Sequence, residues 1–194
     1  EAFSDITLQT PTLGVVISIF LVVFLLLLSG FASASEISFF SLSPADIADL
    51  DVEHSARDRK IEMLRQDSER TLATILITNN FVNVTIIMLL NYVFANVVHF
   101  GPRAYWLQFL ILTILLTFLL LLFGEIMPKV YSRQNPLIFC RFAVNGILFF
   151  RKFFWLLETI LTKSGVIAEK VWQKKNRQLS VDDLEQALEL TDKE

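Results

Sequence analysis

The chain has 194 residues, 54% hydrophobic and 19% charged, with a net charge of −3. An average soluble domain is about a quarter charged, and here the deficit is concentrated in three places: no Asp, Glu, Lys or Arg occurs from Ile6 to Ser35, between Arg70 and Arg103, or between Arg103 and Glu125. Each run reaches the ~20 residues that a helix needs to cross a bilayer, which excludes a soluble globular enzyme.

The first predicted span begins near Pro11, since proline is tolerated in a first helical turn. It runs through "LGVVISIFLVVFLLLL" and changes character at "SGFASASEISFFSLSP". The stretch ahead of Thr12 holds Glu1 and Asp5 but no Lys or Arg, and the apolar run is too long for a signal-peptide core, so cleavage is not expected. The second span begins after Arg70, at "TLATILITNNFVNVTIIMLLNYVFANVV", and the third is "AYWLQFLILTILLTFLLLLFGEIMPK". Tyr105 and Trp106 at its start fit an aromatic interface belt. Residues 1–12 carry no Lys or Arg, residues 44–70 carry Arg57, Arg59, Lys60, Arg65 and Arg70, the second connection carries Arg103, and basic residues return at Lys129 and Arg133. The bias places the N-terminus outside and the C-terminus in the cytoplasm.

Residues 136–162 are apolar, yet Arg141, Arg151 and Lys152 divide them. Short aromatic stretches with basic punctuation suit an interfacial hairpin better than a fourth span, with a bend expected at Asn145–Gly146. From Ala168 onward the chain is soluble in character, and "LSVDDLEQALEL" reads as a short helix capped by Ser180. The expected fold is an all-α membrane protein with three transmembrane helices, a juxtamembrane helical hairpin and a short cytoplasmic helix. Residues 1–165 form the transmembrane domain with its hairpin, and 166–194 the cytoplasmic linker helices.

Several chemistries have no support. The basic residues form no stripe for nucleic acid, and a single cysteine, Cys140, allows neither an intrachain disulfide nor a Cys-rich metal site. His54 and His99 are too far apart in sequence for a zinc motif, and no glycine-rich phosphate loop occurs. What remains are polar residues where lipid should be, and these are costly enough to be informative. Ser29 and Ser33 share a helix face at i, i+4, beside Gly30, Ser35 and Glu36; the alternative is close helix packing through small residues. Asn79, Asn80 and Asn83 crowd into five positions, where a lone Asn would serve as helix glue. Glu125 follows Gly124 and precedes Pro128, which removes a donor and leaves the Gly124 carbonyl without a helical partner.

Glu125 is alternatively the first interfacial charge, paired with Lys129 at i+4, and Glu36 can reach Lys129 or Arg133. Thr113 and Thr117 fall on the same i+4 ladder as Glu125. Counting ~1.5 Å per residue, Glu125 lies about one turn inside the inner boundary and Asn80 roughly 15 Å in from Arg70, with Ser33 at a similar depth. One carboxylate among neutral oxygens suits Mg²⁺, Na⁺ or Ca²⁺ rather than zinc or copper. No nucleophile–base pair accompanies them, so no enzyme activity is expected.

The strings "SGFASASEISFFSLS", "TLATILITNNFVNV" and "GEIMPK", in this order over about residues 13–165, resemble the transmembrane domain of the CorC/cyclin-M family of magnesium transport proteins. The resemblance implies a homodimer in the bacterial inner membrane that transports Mg²⁺ through a largely dehydrated site, with Na⁺ as a candidate coupling ion. Carried over by position, Ser33, an Asn of the 79–83 cluster (with Asn80 and Asn83 foremost) and Glu125 supply side chains, and Ser29 and Gly124 supply backbone carbonyls. It also implies a continuation into CBS regulatory domains. Two glycines common in the family are replaced here, within Ser33–Glu36 and at Thr78. The C-terminal "SVDDLEQALEL" is similar to proteins associated with bacterial gliding and secretion. That likeness implies an alternative role as a non-transporting scaffold among envelope-complex membrane proteins.

Overall fold

Residues 7–99, 105–160 and 162 are described by the computed structural model. A first pair of elements closes one rim: β1 (Thr7–Leu8) pairs antiparallel with β2 (Val98–His99). Between them run α1 (Leu13–Phe40), α2 (Pro44–Ala48), α3 (Ala56–Gln66) and α4 (Ser68–Val97). After β2 come α5 (Tyr105–Leu119), a π-helical segment (Leu120–Ile126), α6 (Met127–Gln134) and α7 (Pro136–Phe153). Among the described residues three continuous helices are long and apolar enough to cross a membrane: Leu13–Phe40, Ser68–Val97 and Trp106–Gln134. The last of these joins α5, the π segment and α6 into one rod.

Local chemistry sets the helix starts. Thr12, not Pro11, caps α1, its Oγ1 accepting from the Val15 amide. Ser43 and Asp46 form a reciprocal capping box on α2, and Ser55 caps α3. α4 begins at Ser68, so Arg70 sits in its first turn rather than ahead of it. At ~1.5 Å per residue α1 and α4 are about 42 and 45 Å long, which exceeds a hydrocarbon core of ~30 Å. Both helices therefore project beyond that core.

The protein has two packing layers. Within the spans, Val22 of α1 meets Val82 and Ile86 of α4, with leucines around them. At the other end a collar forms where α3 and α7 wrap the ends of α1 and α4. Its core is Phe39, Ile61, Leu64, Ile75, Cys140, Ala143, Val144 and Ile147. Burial pushes the Cys140 thiol up to about 12, so this thiol is inert while the collar holds. α7 buries that one face and exposes Ile138, Phe142, Phe149 and Phe153 on another, a stripe suited to a bilayer interface. Arg141, Arg151 and Lys152 keep it from being a span.

One sequence expectation is corrected here. The bend at Asn145–Gly146 does not occur: α7 passes through both residues unbroken, and Gly146 lies under the ring of Phe31. The chain breaks instead at Phe154 and resumes as a helix over 155–160. A π-helical segment, Leu120–Ile126, lies between Thr117 and the end of the third span and contains Glu125. Thr113 and Thr117 are exposed. The capping by Ser180, the linker helices in 166–194 and the Gly101–Arg103 connection lie outside the described residues.

Candidate functional site

Most hydroxyls in the spans satisfy themselves. Ser18, Ser35, Thr74, Thr78 and Thr85 each donate to the carbonyl four residues back, the usual arrangement for Ser and Thr inside a helix. Thr78, where the family resemblance favours glycine, is one of these, so its extra hydroxyl needs nothing from the site. Ser29 behaves differently. Its Oγ lies 3.0 Å from Asn79 Oδ1 and 2.7 Å from Asn83 Oδ1, across the α1–α4 seam. A hydroxyl has one hydrogen to donate, so two amide oxygens converge on a single donor. Asn83 Nδ2 reaches Asn79 Oδ1 only at 3.5 Å.

Ser33, one turn further along α1, is 1% exposed, and its Oγ has no hydrogen-bond partner among the described residues. Ser38 Oγ is in the same position. An unpaired buried hydroxyl costs about 1–3 kcal/mol. Three serines on α1 thus carry oxygens whose capacity the fold itself does not use fully.

Two glycines admit the third span to this seam. A Cβ on Gly124 would stand 2.9 Å from Ser29 Oγ, and one on Gly30 would stand 2.9 Å from Pro128 Cγ and 3.1 Å from the Phe123 carbonyl oxygen. The π segment shifts the backbone pairing as well: the Met127 amide donates to the Leu122 carbonyl, five residues back. In that pattern the carbonyl that Pro128 cannot serve is Phe123's, not Gly124's as α-helical counting gives, and it faces Gly30. A π turn inside an α-helix commonly marks a functional position.

The structure thus brings Ser29, Asn79, Asn83 and Gly124 together. Asn80 is exposed and stands outside this cluster, and Asn79 takes the position beside Asn83. Asn83 shares a helix face with Asn79 at i, i+4 and with Asn80 at i, i+3, so spacing alone does not select between them. Glu125 is half exposed and pairs at 3.1 Å with Lys129, whose Nζ also meets Glu36 Oε2 at 3.2 Å. Among the described residues no group of three or more His, Cys, Asp and Glu is placed to hold a metal. Any ion taken here meets hydroxyl, amide and carbonyl oxygens with few charges, a hard-ligand set.

Among individually curated proteins, none matches the chain. The model of the cyclin M transmembrane N-terminal domain matches residues 20–194. That match covers the serine stretch, the asparagine cluster, the π segment and the collar alike. The chain is a membrane protein and belongs to the cyclin M transmembrane domain family, a family linked to divalent-cation transport.

Proposed function

We propose that this protein moves Mg²⁺ across the bacterial inner membrane as a homodimer, with its N-terminus outside, its C-terminus in the cytoplasm and Na⁺ as the coupling ion. The ion is held by Ser29, Ser33, Asn79, Asn83 and the backbone at Gly124, with Glu125 supplying the one formal charge. One observation carries the reading: one turn along α1 from an oxygen cluster short of donors, Ser33 Oγ is buried without a partner among the described residues. A divalent cation gives such oxygens the partner that the fold withholds, and neutral oxygens plus one carboxylate suit Mg²⁺ or Ca²⁺ better than softer metals.

Reconstitution into vesicles with a Mg²⁺-sensitive dye inside tests it. Wild-type protein is expected to carry Mg²⁺, and Glu125→Ala to reduce flux by about 100-fold or more, the cost of leaving a divalent charge uncompensated away from water. Equal flux from Glu125→Ala and wild type, with both variants folded, overturns the proposal.

A further inference from the structure

Two carboxylates and one ammonium meet where the third span leaves the seam. Lys129 Nζ is 3.2 Å from Glu36 Oε2 and 3.1 Å from Glu125 Oε1. Glu36 belongs to α1, whereas Glu125 and Lys129 belong to the third span. The side chains of Lys129 and Glu36 are about three-quarters buried, while that of Glu125 is 50% exposed. Glu125 and Lys129 also line a cavity of about 460 Å³, together with Ile37, Leu121 and Arg133. An ion entering through this cavity therefore meets a carboxylate that already has a cation on it.

We propose that Lys129 is a tethered cation that holds Glu125 in the ion-free protein and yields it to an arriving divalent cation, so that Lys129 sets the affinity and the valence selectivity of the site. The inference rests on the transport reading above. Three features support it. The ammonium is joined to Glu125 by one turn of chain, so it competes at a high effective concentration. Coulomb attraction grows with charge: Na⁺ meets a tethered competitor of equal charge, whereas Mg²⁺ brings twice that charge to the same carboxylate. Glu36 gives the displaced ammonium a place to stay. Without it, release would strand a largely buried positive charge. One lysine shared by two acids on different helices is thus arranged to let go of one acid at a time.

The whole protein in lipid nanodiscs decides the matter. Mg²⁺ binding is followed by calorimetry, and the free amine of Lys129 by acylation with an amine-reactive ester and mass spectrometry, with exposed Lys152 as internal reference. Saturating Mg²⁺ is expected to raise Lys129 labelling by about threefold relative to Lys152, and Na⁺ at equal ionic strength to leave it unchanged. Lys129→Gln is expected to bind Mg²⁺ about tenfold more tightly, a shift of about 1.4 kcal/mol, and to become sensitive to competition by Na⁺.

Wild-type protein that binds Mg²⁺ with no change in Lys129 labelling overturns the proposal, and so does Lys129→Gln binding at wild-type affinity or weaker. Wild-type protein that binds no Mg²⁺ overturns the transport reading itself, and this inference with it. The labelling measurement needs no variant, so a Lys129→Gln protein that fails to fold leaves the question decidable.

Discussion

The collar and the seam both bury polar groups, but they finish the accounting differently. In the collar, Asp58 is gripped by two nitrogens of Arg141, at 2.9 Å from Nε and 2.8 Å from Nη2. Glu158 lies 3.6 Å from Arg70 and 3.9 Å from Arg151, and Arg151 also pairs with Asp67. Both buried carboxylates thus have cations: Arg141, Arg70 and Asp67 tie α7 and the helix after it to α3, to α4 and to the residue that leads into α4, and Arg151 with Glu158 ties α7 to that following helix. In the seam, Ser29 shares one hydrogen between two amide oxygens, and Ser33 and Ser38 donate to nothing among the described residues. A closed network fastens helices; an open one of oxygens has room for something else. The contrast puts fastening and unused oxygens at different depths of the same bundle.

The largest effect is expected from opening the closed side. Arg141→Met leaves Asp58 charged and buried without its partner, which costs about 3–5 kcal/mol. A lower thermal midpoint in detergent, together with maleimide labelling of the normally buried Cys140, would report it. Asp58→Asn combined with Arg141→Met is expected to recover much of the loss, since the stranded charge is then gone. A single variant as stable as wild type would mean that the collar does not depend on this pair.

The next effect comes from the open side and carries opposite signs in two measurements. Ser33→Ala is expected to weaken Mg²⁺ binding by about tenfold. It should leave thermal stability unchanged or raise it by about 1 kcal/mol, because an unpaired buried hydroxyl is removed. Ser35→Ala supplies the contrast, because Ser35 already donates to the Phe31 carbonyl; it should leave ion binding untouched. If the two variants bind alike, the open and closed hydroxyls are functionally the same and the comparison collapses.

A smaller, graded effect follows from acidity. The bonds from Arg141 hold the Asp58 carboxyl below the ordinary carboxylate range, with a smaller contribution from the Asp51 amide. Its folded value is thus below its unfolded one. The stabilisation is complete above the ordinary value of 3.8 and is lost as the pH falls toward the lowered value. Thermal midpoints measured between about pH 2 and 6 should decline at the acid end, and Asp58→Asn should flatten that decline. Least of all is expected from Glu62→Gln. Its pairing with Arg65 at 2.8 Å lies within one turn of α3, and such pairs contribute about 0.3–0.5 kcal/mol.

Legibility in the sequence divides along similar lines. The three spans could be read from missing charge alone, because lipid excludes ions whatever the neighbours are. The collar helix α7 was separable from a fourth span by its three basic residues. Its break was misplaced: a Gly after an Asn reads as a bend, while in the fold Gly146 is the space into which Phe31 packs. The π segment left no mark in "LLLLFGEIMPK", since counting in fours assumes the regularity that the segment breaks. The choice between Asn79 and Asn80 likewise depends on how α4 is rotated against α1, and that rotation is fixed by Val22, Val82 and Ile86 packing at a distance in sequence. The Asp58–Arg141 pair spans 83 positions, and no local pattern announces it.

The sequence by itself therefore determined the solvent of this protein, the number of its spans and the kind of atom its polar clusters offer, because burial in lipid and ligand hardness depend on residue type. Only the tertiary structure decided which oxygens meet, which hydroxyls stay unpaired among the described residues and that Glu36 meets Lys129 rather than Arg133. Those depend on helix rotation and on the extra residue in a single π turn, which move a side chain by ångströms without changing a letter of the sequence.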